Sequence, residues 1–549
     1  MMGPLEERIA AVALHTFDDL PKKSKPRSHA HGSREWVPMS AVVLVRDANS
    51  VSEKLTCVSL ATGCKCLPRS TLPKCHGQVL HDSHAEILSL RGLNQFFLFE
   101  VSQLLDAEST HQSEWLCAWS SPDAGETIEL DRLHDNRVRG PPFAIRSNVS
   151  IHMFSSEAPC GDASMEMLMS ELGAEESVPW TSPHREPPTS AGGDSFSAAS
   201  LHGRGFFSDL GAVRRKPSRA DAEPTLSKSC TDKLSIKQVT SLLSFPTYHL
   251  IAITRNAYLS SLILPATKYS GKGFTRAFSR HGRLSAVEEE RLPNGYSFHP
   301  FKVTPLRQDF EPNFPFSKPV ATTTTTTTTT TIASSSSDPC QHPRDRQDAL
   351  SKVAEQKSKA TNLSALYIHH HHPRSSPPHH PNDLTTSINP VSETLVNGVH
   401  QGHTLTSPSP KKASIISRFH MLQLGRQITT SLLLLHLSDP PSTTGTGLHV
   451  PPPPPSRLLR TADEAVMAGW KGLVEARTYG EAKRAGEIAL DRERAKGLVT
   501  RLLVAGGARA APRAGQGASK DAAGGSSSSW LRNNGDDDWE LPSEEHRSG

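Results

Sequence analysis

The feature that most constrains this chain is the stretch His-Asp-Ser-His-Ala-Glu-Ile-Leu-Ser-Leu-Arg at residues 81–91, where a histidine and a carboxylate stand two residues apart. Apolar residues follow at helical spacing, which predicts a helix from about residue 84 to 105 with one buried face. The start of a helix directs side chains and free N–H groups toward a cleft, so a metal site with His84 and Glu86 is geometrically natural there. An H-x-E pair alone is a weak indication, and it needs partners elsewhere in the chain.

The composition limits how much of the chain can fold. Its 549 residues include 42 prolines and 36 glycines, and only 36% are hydrophobic, so we expect one domain interrupted by disordered inserts. The net charge of +4 argues neither for nor against nucleic acid. Local basic clusters at residues 22–27, 214–216 and 483–484 matter more, although such a run is usually a solvated face.

The apolar segments and the cysteines indicate the compartment. The apolar runs are too short for a membrane-spanning helix or a signal peptide, which predicts a soluble, intracellular protein of the nucleus or cytoplasm with no membrane partner. Eight cysteines are too few for a disulfide framework and favour free thiols or metal ligands.

Periodicity predicts alternating strands and helices. Strands are expected at residues 36–45, 56–61, 148–154 and 258–264, with further ordered islands at 362–368 and 393–401. Helices are expected near the N-terminus, where Ile9, Val12, Ala13 and Phe17 share a face, and at 165–172, after 229, and at 462–503.

Changes in composition suggest the domain boundaries. We assign residues 1–35 to an N-terminal helix and basic arm, and residues 36–316 to a domain core with a loop insert at 173–208. A low-complexity insert is expected at 317–360. Residues 361–541 complete the domain, interrupted by disordered segments at 369–390, 437–460 and 505–529.

Two cysteines repeat the arrangement of the histidine. Cys160 and Cys230 each stand at a predicted helix start after a strand or loop. One imidazole and two thiolates are a standard ligand set for Zn²⁺ that leaves a fourth position for water. Glu86 is close enough in sequence to His84 to take and return a proton of that water. Zinc nucleobase deaminases use this arrangement of H-x-E and cysteine ligands.

Each of these residues also has a simpler interpretation when taken alone. A single cysteine is more often a small buried hydrophobe, and a single histidine is more often structural. The Cys64-Lys65-Cys66 triplet is more consistent with strand and turn packing than with a metal pair, and the polyhistidine at 369–372 lies in a low-complexity setting. The metal-site interpretation depends on three contexts agreeing.

The blocks His-Ala-Glu at 84–86, Pro-Cys-Gly-Asp at 159–162 and Ser-Cys-Thr-Asp-Lys at 229–233 resemble the signature blocks of one family. This is the adenosine-to-inosine deaminase (editase) domain shared by ADAR editing enzymes and eukaryotic tRNA-specific adenosine deaminases. Cytidine and bacterial-type tRNA deaminases instead have P-C-x-x-C, whereas Ala163 stands three residues after Cys160 here. Segments at 36–45, 59–68 and 258–265 resemble the tRNA members, and the resemblance covers about residues 5–315 with islands to 541.

The resemblance implies a fold and a reaction. The fold would be α/β (α+β), a cytidine-deaminase-like three-layer α/β/α domain with a C-terminal helical extension. His84, Cys160 and Cys230 would bind zinc, and Glu86 would be the proton shuttle. Activated water would attack C6 of a flipped-out adenine and release ammonia, giving inosine. The implied substrate is the adenosine beside the anticodon (position 37) of an alanine tRNA, bound by a monomeric enzyme.

The family also buries inositol hexakisphosphate near the zinc, which is possible only where cations surround the polyanion. Leu90 stands where editing relatives have a second arginine, and the spacing after Tyr479 is shifted. The residues at matching positions are Arg91, Lys233, Lys237, Ser241, Tyr479, Lys483, Lys496 and Trp530.

Two alternative functions remain open. An mRNA or double-stranded-RNA editor would need a duplex-binding module, and the 35-residue arm before the catalytic blocks is too short for one. An inactive RNA-binding zinc protein would have no use for Glu86 and would normally close its site with a fourth protein ligand. Residues 247–255 and the homopolymer region are interpreted as inserts relative to the family, either disordered loops or mis-predicted coding sequence.

Overall fold

The computed structural model describes most of the predicted domain. The described residues are 3–27, 34–106, 112–119, 140–171, 201–202, 210–216, 222–289, 292–293, 295–310, 314–318, 359–370, 390–438, 464–510 and 535–541. Within these ranges, no helix has the length and apolar character needed to cross a membrane.

Strands and helices alternate along the first half of the chain, and helices dominate its last part. The strands are β1 Glu35–Trp36, β2 Met39–Arg46, β3 Lys54–Thr62, β4 Cys64–Cys66, β5 Asp82–His84, β6 Leu116–Ala118, β7 Phe143–Ile145, β8 Val149–Ser155, β9 Leu201–His202, β10 Arg214–Arg215, β11 Leu259–Leu264, β12 Lys302–Pro305, β13 Lys359–Ala360, β14 Leu363–Ile368, β15 Val391–Val396 and β16 Val399–His400. The helices are α1 Leu5–Asp18, α2 Ala85–Leu105, α3 Met165–Glu171, α4 Cys230–Thr240, α5 Gly271–Phe278, α6 Ser285–Glu289, α7 Arg418–Ser438, α8 Glu464–Glu475, α9 Tyr479–Ala489 and α10 Arg492–Ala510.

An eight-stranded mixed sheet forms the centre, in the order β12-β11-β8-β2-β3-β14-β15-β16. The β11 strand is parallel to both β8 and β12, whereas β2 is antiparallel to β3 and β8. Residues of β2 are buried along nearly the whole strand, as expected for a strand covered on both faces.

Helices cover both faces of this sheet. Alternate residues of β2 enter two different cores, because side chains of a strand point to opposite faces. Val42 and Leu44 pack with α2 residues such as Phe96. Val43 packs with α1 residues such as Phe17 on the other face. The predicted three-layer α/β/α deaminase fold is therefore confirmed.

The predicted elements are found close to their expected bounds. The helix expected from residue 84 begins at Ala85, and the helical segment at 462–503 divides into α8, α9 and α10. Sequence reasoning missed α7, a 21-residue helix in which only a short leucine run had attracted attention. The expected loop at 173–208 and the homopolymer region lie almost entirely outside the described residues.

The segment at 247–255 belongs to the core. Tyr248, Leu250 and Ile251 are buried. Backbone hydrogen bonds join Phe143 N–H to Leu250 O and Ala252 N–H to Phe143 O. This segment is packed, so its interpretation as a disordered insert is wrong.

Candidate metal and catalytic centre

Three elements bring the predicted metal ligands together. His84 ends β5 immediately before α2, Cys160 follows β8, and Cys230 is the first residue of α4. His84 Nδ1 lies 3.7 Å from Cys160 Sγ and 3.6 Å from Cys230 Sγ. Zn–S and Zn–N bonds of about 2.3 and 2.1 Å at a tetrahedral angle separate sulfur and nitrogen by about 3.6 Å. The spacing therefore suits three ligands of one zinc ion.

A glycine turn allows the two cysteines to approach. Gly161 has φ +114°, and a Cβ there would lie 2.3 Å from Ser229 Oγ. Ser229 caps α4 by accepting a hydrogen bond from the Asp232 N–H, and Thr231 N–H donates to Cys160 O at 3.0 Å. The turn after β8 thus packs directly on the start of α4.

A hydrogen bond donated by the Cys230 side chain holds the pKa of Cys160 well below its usual value. Burial opposes this shift, and the nearby charge of Lys216 adds to it.

Glu86 lies in the first turn of α2 beside these ligands. Its side chain is buried. Burial raises the pKa of Glu86, and the negative charge of Cys160 adds to the shift. A carboxylate with a raised pKa accepts and returns a proton more readily near neutral pH, which suits general acid–base catalysis.

A buried carboxylate connects the ligands to two lysines. Lys216 Nζ lies 3.0 and 2.8 Å from the two oxygens of Asp82 and donates to Cys230 Sγ at 3.3 Å. Lys233 also pairs with Asp82 and donates to Ser227 Oγ at 2.7 Å. The result is a continuous chain of contacts from Lys233 to the thiol of Cys230.

Charge balance explains why these groups stay ionised. Burial alone would raise the pKa of Asp82, but Lys216 and Lys233 outweigh it and hold that pKa well below its usual value. Burial would likewise lower the pKa of Lys216, but the carboxylate of Asp82, followed by the sulfur of Cys230, raises it well above its usual value. Sequence reasoning missed both roles, and it placed residues 214–216 on a solvated face, whereas Arg214 and Lys216 are buried.

The Cys64-Lys65-Cys66 triplet forms β4, which pairs with β5. Cys66 Sγ lies 3.2 Å from Asp82 Oδ1, and Cys66, Asp82 and His84 form a second group of possible metal ligands. Asp82 is already bound by two lysines. The group of His84, Cys160 and Cys230 is therefore the better metal site.

The four lysines expected to hold a polyanion lie close enough to Lys228 or Arg492 for their charges to interact; they are Lys233, Lys237, Lys483 and Lys496. These six residues are called here the cationic cluster. Burial, followed by the charges of Arg492 and Lys496, lowers the pKa of Lys237 well below its usual value. Burial, followed by the charges of Lys233 and Lys496, does the same to Lys228, which Lys483 also influences. Among the described residues, Ser241 Oγ and Arg492 Nη1 are buried without a hydrogen-bond partner.

Tyr479 and Trp539 lie beside a second pair of cations, Arg91 and Arg418. The Arg418 guanidinium lies 5.2 Å from the centre of the Tyr479 ring. Burial lowers the pKa of Arg91 to about 10, and the nearby charge of Arg418 adds to this shift. Arg91 Nε donates to Ile416 O at 2.8 Å. Trp530 lies outside the described residues; the tryptophan stacked on Tyr479, at 5.4 Å, is Trp539. Sequence reasoning missed Lys228 and Arg492 beside the four lysines, and Arg418 and Trp539 beside Tyr479.

Comparison with known proteins agrees with this geometry. The adenosine-deaminase (editase) domain family matches residues 59–365. The tRNA-specific adenosine deaminase 1 of Schizosaccharomyces pombe is 35% identical over 314 residues, which cover 57% of this chain and 70% of that protein. The protein of the same name from Saccharomyces cerevisiae is 30% identical over 293 residues, covering 52% and 64% of the two chains. The double-stranded RNA-specific editase Adar of Drosophila melanogaster is 27% identical over 125 residues, covering 23% and 15%.

Proposed function

Because the chain belongs to the adenosine-deaminase (editase) domain family and is an enzyme, we propose that it hydrolyses adenosine to inosine in tRNA. The observation that carries this proposal is the convergence of His84, Cys160 and Cys230 beside the buried Glu86. The tRNA substrate is supported by the names of the yeast relatives. An mRNA or duplex-RNA substrate is less well supported, because the similarity to the Drosophila editase is confined to 125 residues.

Zinc is the metal that the donor set fits best. One imidazole nitrogen and two thiol sulfurs favour zinc over the oxygen-preferring Mg²⁺ and Ca²⁺. When bound, zinc supplies the Lewis acidity that makes water an effective nucleophile at neutral pH. His84, Cys160 and Cys230 would hold it and leave one position open.

Glu86 is proposed to move protons between water and the adenine. It takes a proton from the attacking water and passes it to N1 of the base; it then takes the proton of the new C6 hydroxyl and gives it to the C6 amino group, which leaves as ammonia. Addition of water and loss of ammonia convert adenosine to inosine, so atoms and charges balance. Burial supports this role, because it raises the pKa of Glu86 toward the pH at which proton transfer is efficient in both directions.

Lys216 is proposed to tune the ligand thiolate. Its ammonium donates to Cys230 Sγ at 3.3 Å, which draws negative charge away from the sulfur. Asp82 holds Lys216 in place and keeps it protonated although it is buried. Substitution of a residue that hydrogen-bonds to a metal ligand commonly lowers metal affinity or activity by about 10–100-fold.

The finer substrate assignment is the one that the family resemblance implies, and it agrees with how a base reaches such a site. The target adenine must leave its stack, and an unpaired nucleotide costs the least energy to extrude. We propose the adenosine beside the anticodon (position 37) of an alanine tRNA, which lies in a single-stranded loop.

Inositol hexakisphosphate is proposed as a structural ligand of the cationic cluster. The lowered pKa values of Lys228 and Lys237 mean that their charged forms are disfavoured in the protein alone. A polyanion would offset the cost of burying these charges as well as the repulsion from neighbouring cations, and it would supply acceptors for Ser241 Oγ and Arg492 Nη1. Lysines 233, 483 and 496, together with Arg91 and Tyr479, would complete its surroundings.

A Glu86→Gln substitution tests the catalytic assignment. Purified protein should retain one zinc per chain, while the rate of inosine formation in total tRNA falls by about 10²–10⁴-fold. Glu475→Gln, at an exposed position of α8, is the matched control and should leave the rate unchanged. Sequencing-based mapping of inosine on individual tRNAs then identifies the nucleotide. Wild-type turnover by Glu86→Gln would refute the mechanism, and inosine confined to duplex RNA would refute the substrate.

A further inference from the structure

The segment at residues 535–541, called here the terminal segment, contacts the loop that leads into the metal centre. Asp536 Oδ1 accepts a hydrogen bond from the Gly77 N–H at 2.8 Å, and Oδ2 lies 2.8 Å from His81 Nε2. The Asp536 side chain is only 1% exposed. One buried carboxylate therefore contacts both ends of the stretch 77–81, which stops three residues before His84.

Several other contacts hold the terminal segment in place. Arg418 Nη1 lies 2.8 Å from Asp536 O and 2.7 Å from Asp537 Oδ1. The Gly480 N–H donates to Asp537 O at 2.7 Å, and Leu541 N–H donates to Arg477 O at 2.9 Å. The segment is thus anchored to the starts of α7 and α9.

Trp539 packs closely against the backbone of this loop at Gly77. A Cβ on Gly77 would lie 2.3 Å from Trp539 Cζ2, so only a glycine lets the indole approach this far. Gly77 has φ +68° and its neighbour His76 has φ +47°. Two consecutive residues in the left-handed region form a conformation that the surrounding structure must stabilise.

We propose that Asp536 is a positioning residue for the catalytic centre: it fixes the loop at 76–81 and thereby the placement of His84 and Glu86. This inference rests on the deaminase function proposed above. The loop continues into β5, which contains Asp82 and His84, and then into α2, which contains Glu86. Burial lowers the pKa of His81, which favours its neutral ring. The geometry places the two oxygens of Asp536 against the Gly77 N–H and His81 Nε2.

The test compares Asp536→Ala with Asp538→Ala in the full-length, zinc-loaded protein. Asp538 is exposed in the same segment, which makes it the matched control. In Asp536→Ala, amide hydrogen exchange should rise at least about tenfold at residues 77–84, since one lost hydrogen bond is worth that factor. Exchange in β2 and β3 should stay unchanged. The kcat for tRNA deamination should fall by about 10–100-fold with little change in KM, because small misplacements of catalytic groups reduce the rate to that extent.

The conservative variant Asp536→Asn keeps the acceptor for the Gly77 N–H and should recover most of the exchange protection and part of kcat. It also provides the test if Asp536→Ala does not accumulate as folded protein. Unchanged exchange at residues 77–84 in Asp536→Ala would overturn the proposal. Increased exchange spread evenly over the central sheet would overturn it as well, because that pattern indicates a purely global loss of stability. Hydrogen exchange does not depend on turnover, so this outcome is distinguishable from failure of the proposed deaminase function.

Discussion

At the scale of single residues, Asp82 is the group that determines how charge is arranged around the ligands. Its two oxygens bind Lys216 and Lys233, and Lys216 in turn contacts Cys230. The sequence places Asp82 two residues before His84, in the same block as the histidine and the carboxylate. Nothing in the sequence connects it with Lys216, which belongs to a basic run far along the chain.

Asp82→Asn should destabilise the protein strongly. Lys216 would remain buried without its counterion, so we expect the free energy of unfolding to fall by about 3–5 kcal/mol at pH 7. Urea unfolding measures this change, and Asp309→Asn, at an exposed position, is the control. Adding Lys216→Met to Asp82→Asn should restore part of the lost stability, because the buried unpaired charge is then gone. A double variant no more stable than Asp82→Asn would contradict this account.

At the scale of elements, the metal centre depends on how two turns meet. Periodicity predicts that Cys160 and Cys230 each begin a helix, and both cysteines lie at or near a helix start. Their contact depends on Gly161, whose backbone packs on Ser229, the cap of α4. The Pro-Cys-Gly-Asp block thus has a packing reason for its glycine.

Gly161→Ala should separate the two cysteines and reduce zinc binding. The new Cβ would lie 2.3 Å from Ser229 Oγ, and φ +114° is also unfavourable for alanine. The Gly402→Ala variant separates the steric contact from the backbone strain. Gly402 also has a positive φ, +91°, but nothing lies within 4 Å of a Cβ placed there. Both variants should lose about 1–3 kcal/mol of stability from backbone strain. Only Gly161→Ala should lose zinc, measured as metal per chain after dialysis; equal zinc content in the two variants would show that the contact is unimportant.

At the scale of the whole molecule, the cationic cluster joins distant parts of the chain. Lys237 comes from α4, Lys483 from α9, and Arg492 and Lys496 from α10. Burial and neighbouring cations disfavour the charged forms of Lys228 and Lys237, and a polyanion bound there would link the C-terminal helices to the catalytic layer.

Adding inositol hexakisphosphate should therefore stabilise the entire protein. At a ligand concentration of 100 Kd we expect about 2.7 kcal/mol of added stability, visible as a rise in Tm. Binding should also take up protons: the pKa of Lys237 is lowered in the free protein, and a bound polyanion raises it. At a pH between the two values, affinity falls as pH rises. Calorimetry in two buffers of different ionisation enthalpy measures the uptake.

On binding inositol hexakisphosphate, the Lys237→Met variant should take up fewer protons than the wild type, by as much as one proton per polyanion bound. Lys411→Met, at an exposed position, should not differ from the wild type and serves as the control. Identical proton uptake by the Lys237→Met variant and the wild type would remove Lys237 from the proposed site.

The sequence by itself determined the elements and the identity of the chemistry-bearing residues. Hydrophobic periodicity is local, so β2, β3, β8 and α2 could be located from short segments, and the ligand types indicated zinc before any geometry was known. The α7 helix was missed because its apolar face packs against α2 and α8 instead of showing a simple surface pattern.

Only the tertiary structure decided which distant residues meet. Packing buried residues 247–255 in the core, brought Lys216 to Cys230, and placed Trp539 on Tyr479. These contacts depend on burial and on charge pairs between segments far apart in the chain, which local patterns do not encode. The His-Ala-Glu block therefore indicated the chemistry, whereas the fold alone joined Cys230 to Lys216 and brought Asp536 of the terminal segment to the loop that leads to His84 and Glu86.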